Sequence, residues 1–161
     1  MAEQSSARRR KIAHDFIVKN RAGALATAST AGIPHVVTIY AIIDKDLHLY
    51  FATRTEGRKY QNLTANPHVA LCFTDETNMQ TVQLMGDVER VQSLEVEQRI
   101  LYELIKIRYG EPDWPVPPVK MFERGTTNEL AIMRIQPTEV TLATFKTLPN
   151  GRYQPFFEKL L

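Results

Sequence analysis

One stretch restricts the fold more than any other. MQTVQLMGDVERV, Met79 to Val91, reads as a single long strand with a glycine, Gly86, near its middle. A glycine inside a strand packs no side chain and marks a bulge, a bend or a close approach of another backbone. A long strand that must bend belongs to a sheet that curls. The expectation from this segment is a barrel or a strongly coiled sheet, which also deals with sheet edges.

The segments around it agree. ALATAST (Ala24 to Thr30) alternates and ends at the turn AGIP, and HVVTIYAII follows as a second strand. DKD turns the chain into LHLYFAT, where Leu47, Leu49 and Phe51 make an apolar face opposite His48, Tyr50 and Ala52. These three segments read as an antiparallel meander. HVALCFTD is a fourth strand, and ETN leads into the long fifth. NELAIMRIQPTEVTLATF closes the fold as one or two strands broken at Pro137.

Helical patterns punctuate the strands. Ser6 to Asn20 carries a narrow stripe of Ile12, Phe16 and Ile17, closed by NRAG with Gly23 available as a left-handed cap. Tyr60 and Leu63 share one face of a short helix that Pro67 stops at Asn66. Ser93 caps a third helix running to Tyr109, with Glu95 in its first turn. Its stripe of Leu94, Leu101, Leu104 and Ile105 is widened by Val96, Ile100 and Ile107, broad enough for burial on more than one side. A stiff loop with Pro112, Pro115, Pro117 and Pro118 carries Trp114, which reads as a hydrophobic plug on the barrel more readily than as a lid over a ligand. The tail RYQPFFEKLL is rich in apolar groups, so docking on its own barrel or on a partner is expected. The result is a mainly β protein, an antiparallel split β-barrel of six or seven strands. It forms one domain over residues 1–161, with a helix at 6–20 and a tail at 147–161.

Composition excludes several classes. A net charge of +2 over 161 residues is too small to argue for nucleic acid, and the run RRRK (Arg8 to Lys11) reads as a solvated helix turn. Cys72 is the only cysteine, so no intrachain disulfide forms, which fits a reducing compartment. No apolar run reaches the ~20 residues of a membrane span, and the N-terminus lacks a secretory core, so the cytoplasm is expected. His14, His35, His48 and His68 have no ligand spacing. His35 and His48 would fall on neighbouring strands without a carboxylate or cysteine, so no metal is expected. No G-x-G-x-x-G, P-loop or H-E-x-x-H motif occurs, and catalytic residues stay unassigned.

The informative polar stretch is TRTEGRKYQNL, Thr53 to Leu63. It joins a strand end to a short helix. A helix start leaves backbone N–H groups unpaired and carries partial positive charge. Thr55 is a candidate cap, and Gly57 permits close approach to the backbone. Arg58 offers a planar fork, Lys59 a point charge and Thr53 a hydroxyl. These are the parts of a phosphate cradle. They are equally the parts of a solvated basic turn.

Order and context add to this. LYFAT (Leu49 to Thr53), GRK (Gly57 to Lys59), Asn62–Leu63, NPHVALCF (Asn66 to Phe73) and MGDVERV (Met85 to Val91) occur in sequence. LATASTAGIPHVV (Leu25 to Val37) precedes them and AIMRIQPTEV (Ala131 to Val140) follows. This ordered set resembles the pyridoxamine 5′-phosphate oxidase-like family of split-barrel flavoproteins. The resemblance is clear over Ala24 to Val91 and weaker to Phe145. It implies a homodimer that binds FMN at the subunit interface and acts on a small molecule. Arg58 and Lys59 would hold the FMN phosphate, with Thr53 beside them. The strand Val36 to Tyr40, through Val37 and Thr38, would present backbone groups to the isoalloxazine ring. Gln80 or Thr81 would come from near the ring or ribityl chain.

Departures from the family narrow the expectation. In the vitamin-processing oxidases the second strand begins with an arginine and ends with a lysine, and VVTIYA here has neither. Their C-terminal tryptophan and arginines are replaced by PNGRYQPFFEKLL, with Arg152 alone. The leading reading is an FMN-binding oxidoreductase whose substrate is not pyridoxamine phosphate. A deazaflavin- or haem-binding relative, or a non-catalytic flavin- or nucleotide-binding stress module, is the alternative. Tyr40 and Tyr50 read as barrel-surface or interface residues, and Glu89 with Arg90 as a solvated pair.

Overall fold

The computed structural model describes residues 2–110 and 130–161. Trp114 and its proline loop lie outside them. The element order is α1 (Ala2–Lys19), β1 (Ala22–Ala28), β2 (Pro34–Tyr40), β3 (Ile42–Ile43), β4 (Leu49–Arg54), α2 (Arg58–Ala65), β5 (His68–Asp75), β6 (Gln80–Arg90), α3 (Leu94–Tyr109), β7 (Leu130–Thr147) and β8 (Tyr153–Lys159). This is the expected mainly antiparallel sheet. The eight strands described exceed the expected six or seven, because Ala41 separates a two-residue β3 from β2 and the tail forms β8.

The sheet order is β2-β1-β5-β6-β7-β4-β3, with β8 added on β7. β2 and β3 are thus opposite ends of the path, although only Ala41 separates them in the chain. The chain crosses from one sheet edge to the other at that residue. That crossing rolls the sheet and leaves a split beside β2. The expected meander is therefore corrected: β1 and β2 pair as a hairpin, but β4 pairs with β3 and β7. The turn signals were local, whereas the partner that displaces β2 arrives some eighty residues later, at Leu130. His35 and His48 consequently do not share neighbouring strands. His48 instead lies 3.1 Å from Asp44 across the turn into β4.

β6 and β7 pair over the whole length of β6, and the register shifts between Met85 and Gly86. Gly86 faces Pro137, and a Cβ on Gly86 would lie 2.4 Å from the Gln136 carbonyl oxygen. The bulge also explains why Pro137 does not break β7, since an irregular ladder position tolerates a residue without an N–H. Gly23 is a second correction. It lies in β1, not at a helix cap, and a Cβ there would meet the Phe73 ring at 2.5 Å.

The barrel interior holds Leu25, Leu49, Phe51, Phe73, Val82 and Ile135, all at most 0% exposed, with Ala13 and Ile17 of α1 closing one end. A second cluster lies outside the barrel. There Ile100, Leu101 and Leu104 of α3 cover Tyr50 and Ile132. The expected wide burial of the α3 stripe holds for Val96, Ile100, Leu101, Leu104 and Ile105 but not for Leu94, which is 55% exposed at the start of the helix. The tail docks on its own sheet: Leu160 is buried and its N–H donates to the Val140 carbonyl at 2.7 Å. No helix among the described residues is long and apolar enough to cross a membrane.

Gly86→Ala should cost about 1–3 kcal/mol, because the backbone opposite cannot give way as a flexible side chain would. Urea unfolding checks this, and an unchanged midpoint would mean that the β6–β7 approach is looser than described.

Candidate functional site

The split beside β2 contains a cleft of about 290 Å³, lined by Thr38, Ile39 and Tyr40 of β2, Ala52 of β4, Lys59 of α2, and Leu104 and Ile105 of α3. Among the described residues β1 is the sole sheet neighbour of β2, so the outer edge of β2 presents backbone N–H and C=O groups along the cleft. α3 forms the facing wall with the margin of the same stripe that covers the outer cluster.

Lys59 is the unusual group here. It lies at the second position of α2, half-buried, with its ammonium 5.3 Å from the centroid of the fully buried Phe51 ring. It forms no ion pair or hydrogen bond among the described residues. Burial pushes its pKa below the ordinary lysine value. A desolvated ammonium held only by a cation–π contact is incompletely satisfied, and an anion in the cleft would satisfy it. The three basic residues of the polar stretch therefore divide. Arg54 is exposed and pairs with Glu56 at 3.4 Å, Arg58 is exposed at the first turn of α2, and Lys59 reaches the cleft.

The remaining candidates fall into separate places. Thr38 lines the cleft. Val37 alternates with it and packs against the barrel core beside Leu25, leaving only its backbone to the edge. Thr53 is buried in the same alternation as Leu49 and Phe51, and its hydroxyl lies 3.5 Å from the Arg54 carbonyl oxygen. Its neighbour Ala52 is the β4 residue in the cleft. Gln80 and Thr81 stand apart from all of these. Thr53 is opposite Ala131 on β7 whereas Gln80 is opposite Thr144, roughly 40 Å further along the strand. The Thr81 hydroxyl is buried and has no hydrogen-bond partner among the described residues.

Two local details differ from expectation. Gly57, not Thr55, occupies the N-cap of α2, with extended backbone that any residue adopts and no side-chain cap. Glu89 pairs with Arg134 across the sheet rather than with Arg90, because consecutive strand residues point to opposite faces. Nothing in the local sequence marks Ile39, Leu104 or Ile105 as site residues. Only the excess width of the α3 stripe hinted that one margin of it serves a cleft.

Lys59→Met removes the buried charge and keeps most of the stem. The ligand-free variant should melt above the wild type at neutral pH. The lowered lysine pKa means the charge penalty is complete at neutral pH and relieved as the pH rises toward the ordinary lysine range, so the difference should shrink there. Thermal melts across pH check this, and a variant that melts lower throughout would contradict it.

The profile of the family described as pyridoxamine 5′-phosphate oxidase matches residues 11–144. A pyridoxine/pyridoxamine 5′-phosphate oxidase of Salinibacter ruber is 38% identical over 73 residues, 44% of this chain and 33% of that protein. The chain thus matches about a third of that relative's length. Among solved structures, a pyridoxamine 5′-phosphate oxidase-related, FMN binding protein of Nostoc punctiforme aligns over 98% of this chain and 94% of its own at 16% identity and a TM-score of 0.60. An F420 reductase aligns over 75% of this chain and 89% of its own at 26% identity and a TM-score of 0.57. A heme storage protein of Vibrio cholerae aligns over 79% and 88% at 18% identity and a TM-score of 0.59. The Nostoc and Vibrio proteins bear on fold alone. With the family profile spanning most of the chain and the split barrel shared with these structures, this protein belongs to the pyridoxamine 5′-phosphate oxidase family.

Proposed function

We propose that this chain is one protomer of a homodimeric FMN-dependent oxidoreductase whose substrate is not pyridoxamine phosphate. The observation that carries the reading is the unpaired, desolvated ammonium of Lys59 in a cleft at the edge of β2. An FMN phosphate supplies the anion that Lys59 lacks, with the Arg58 guanidinium beside it. The Thr38 side chain and the open edge of β2 then flank the ring. FMN supplies hydride or electron transfer when bound, and the protein supplies position and electrostatics.

The dimer rests on two further observations. The cleft is at the small end of the range for small-molecule pockets, and Gln80 and Thr81 are too distant to complete it within one protomer. A second copy brings its own Gln80 and Thr81 to the first copy's cleft. Val36 at 61% and Met85 at 50% exposure lie on the outer sheet face and would be covered on association. The substrate reading rests on the arginine and lysine absent from VVTIYA. A deazaflavin coenzyme is the second reading, favoured by the likeness to the F420 reductase at 26% identity.

Lys59→Met should weaken FMN binding roughly 10- to 100-fold, the worth of a charge-assisted contact. Riboflavin, which has no phosphate, should bind both proteins alike. Fluorescence titration with each flavin decides the matter. An equal loss for both flavins would mean that the substitution damages the fold. No loss for either would mean that Lys59 does not hold the phosphate.

A further inference from the structure

α2 carries Arg58 and Lys59, yet little in its own sequence holds it in place. It is eight residues long, its N-cap Gly57 makes no side-chain cap, and its first turn holds no acidic residue. A helix this short is marginal by itself, so contacts with the barrel set its position. Leu63 is buried in the barrel core, and Tyr60 packs against the same core. Apolar burial is non-directional, so it holds the helix down without fixing its rotation. The directional contact is made by Asn62. Its Nδ2 donates to the Thr27 hydroxyl at 3.0 Å, and that hydroxyl donates to the His35 carbonyl oxygen at 3.3 Å. Thr27 and His35 face each other in register on β1 and β2, and Asn62 and Thr27 are both buried. The chain of bonds thus joins α2 to β1 and to β2, the strand whose edge borders the Lys59 cleft.

We infer that Asn62 is a positioning residue for the Lys59 cleft: its bond to Thr27 sets the rotation of α2, and with it the place of the Lys59 ammonium and the Arg58 guanidinium. Asn62 follows Lys59 by three positions and Arg58 by four, the spacings that share one side of a helix. A roll of α2 that broke the Asn62 bond would therefore move both cations. The bond has one sense only. The single hydroxyl proton of Thr27 goes to His35, so Thr27 accepts from Asn62, which presents its NH2 group rather than its carbonyl. The main chain of Asn62 is tied as well, because its carbonyl accepts from the Asn66 N–H at 2.7 Å at the C-cap. Asn62 does not line the cleft, so it acts on a ligand only through Lys59 and Arg58. The ligand part of this inference rests on the flavin reading above, whereas the placement of Lys59 does not.

The test compares the full-length wild type with Thr27→Val, Thr27→Ser and Asn62→Leu. Valine keeps the shape of threonine without its hydroxyl, and serine keeps the hydroxyl. The first readout needs no flavin. Lysine amines are methylated with isotope-labelled formaldehyde and titrated by NMR, and the Lys59 signal is the one absent from Lys59→Met. Lys59 should titrate below the ordinary lysine range in the wild type and in Thr27→Ser, and should move back toward that range in Thr27→Val and Asn62→Leu. The second readout is fluorescence titration with FMN and riboflavin. Thr27→Val should weaken FMN binding about tenfold and leave riboflavin binding unchanged, because displaced cations forfeit part of the charge-assisted contact with the phosphate. A Lys59 signal that stays in place in Thr27→Val and Asn62→Leu would overturn the inference. An equal loss of both flavins in Thr27→Val would also overturn it, since general loosening of the barrel has that signature. A wild type that binds no FMN, with the Lys59 signal shifting as expected, would remove the flavin reading and support the positioning role. If Asn62→Leu does not fold, the two Thr27 variants carry the same test.

Discussion

The bend in the β6–β7 ladder is the constraint on which the rest depends. β7 is eighteen residues long and serves β4, β6 and β8 in turn. It can do so only by changing direction, and the place where it does is the contact between Gly86 and the Gln136 carbonyl. Straightening that contact would carry the first half of β7 away from β4. β4 positions Ala52 and Tyr50 under α3, so the cleft that flanks the helix inherits its geometry from the bend.

The second consequence is the split. Ala41 links the two terminal strands of the sheet path, so the sheet rolls without closing its ladder there. An open edge normally invites non-specific pairing. Here the edge of β2 is faced by α3 and α2, and Lys59 stands at its margin. The unfavourable elements, an unpaired strand edge and a desolvated ammonium, are gathered in one place. Such concentrations of unsatisfied groups are expected where a ligand completes the structure. Leu104 and Ile105, on the apolar margin of α3, line the same place.

Much of the fold was legible from the chain. β5 was bounded correctly at His68 and Asp75 because Pro67 and a turn enclose it. Ser93 was recognisable as a cap, and its hydroxyl accepts from the Val96 N–H at 3.4 Å. Gly86 announced the bulge. What escaped were facts set by distant partners. Gly23 looks like a helix terminator until Phe73, fifty residues on, is stacked against it. β4 looks like the third strand of a meander until β7 takes its edge. The same applies to the site. Arg58 and Lys59 were identified from local order, whereas the division of labour between them depends on the Phe51 ring and the α3 wall. Thr53 offers a hydroxyl at the strand end, and strand alternation turns that hydroxyl toward the barrel.

The central claim is that the split holds a flavin phosphate. The visible absorption spectrum of freshly purified protein, taken before and after adding FMN and removing the excess by gel filtration, tests it most directly. The account predicts a flavin band that stays with the protein. A colourless protein that lets FMN pass would contradict it, and would return Lys59 to the role of a buried cation awaiting a different anion.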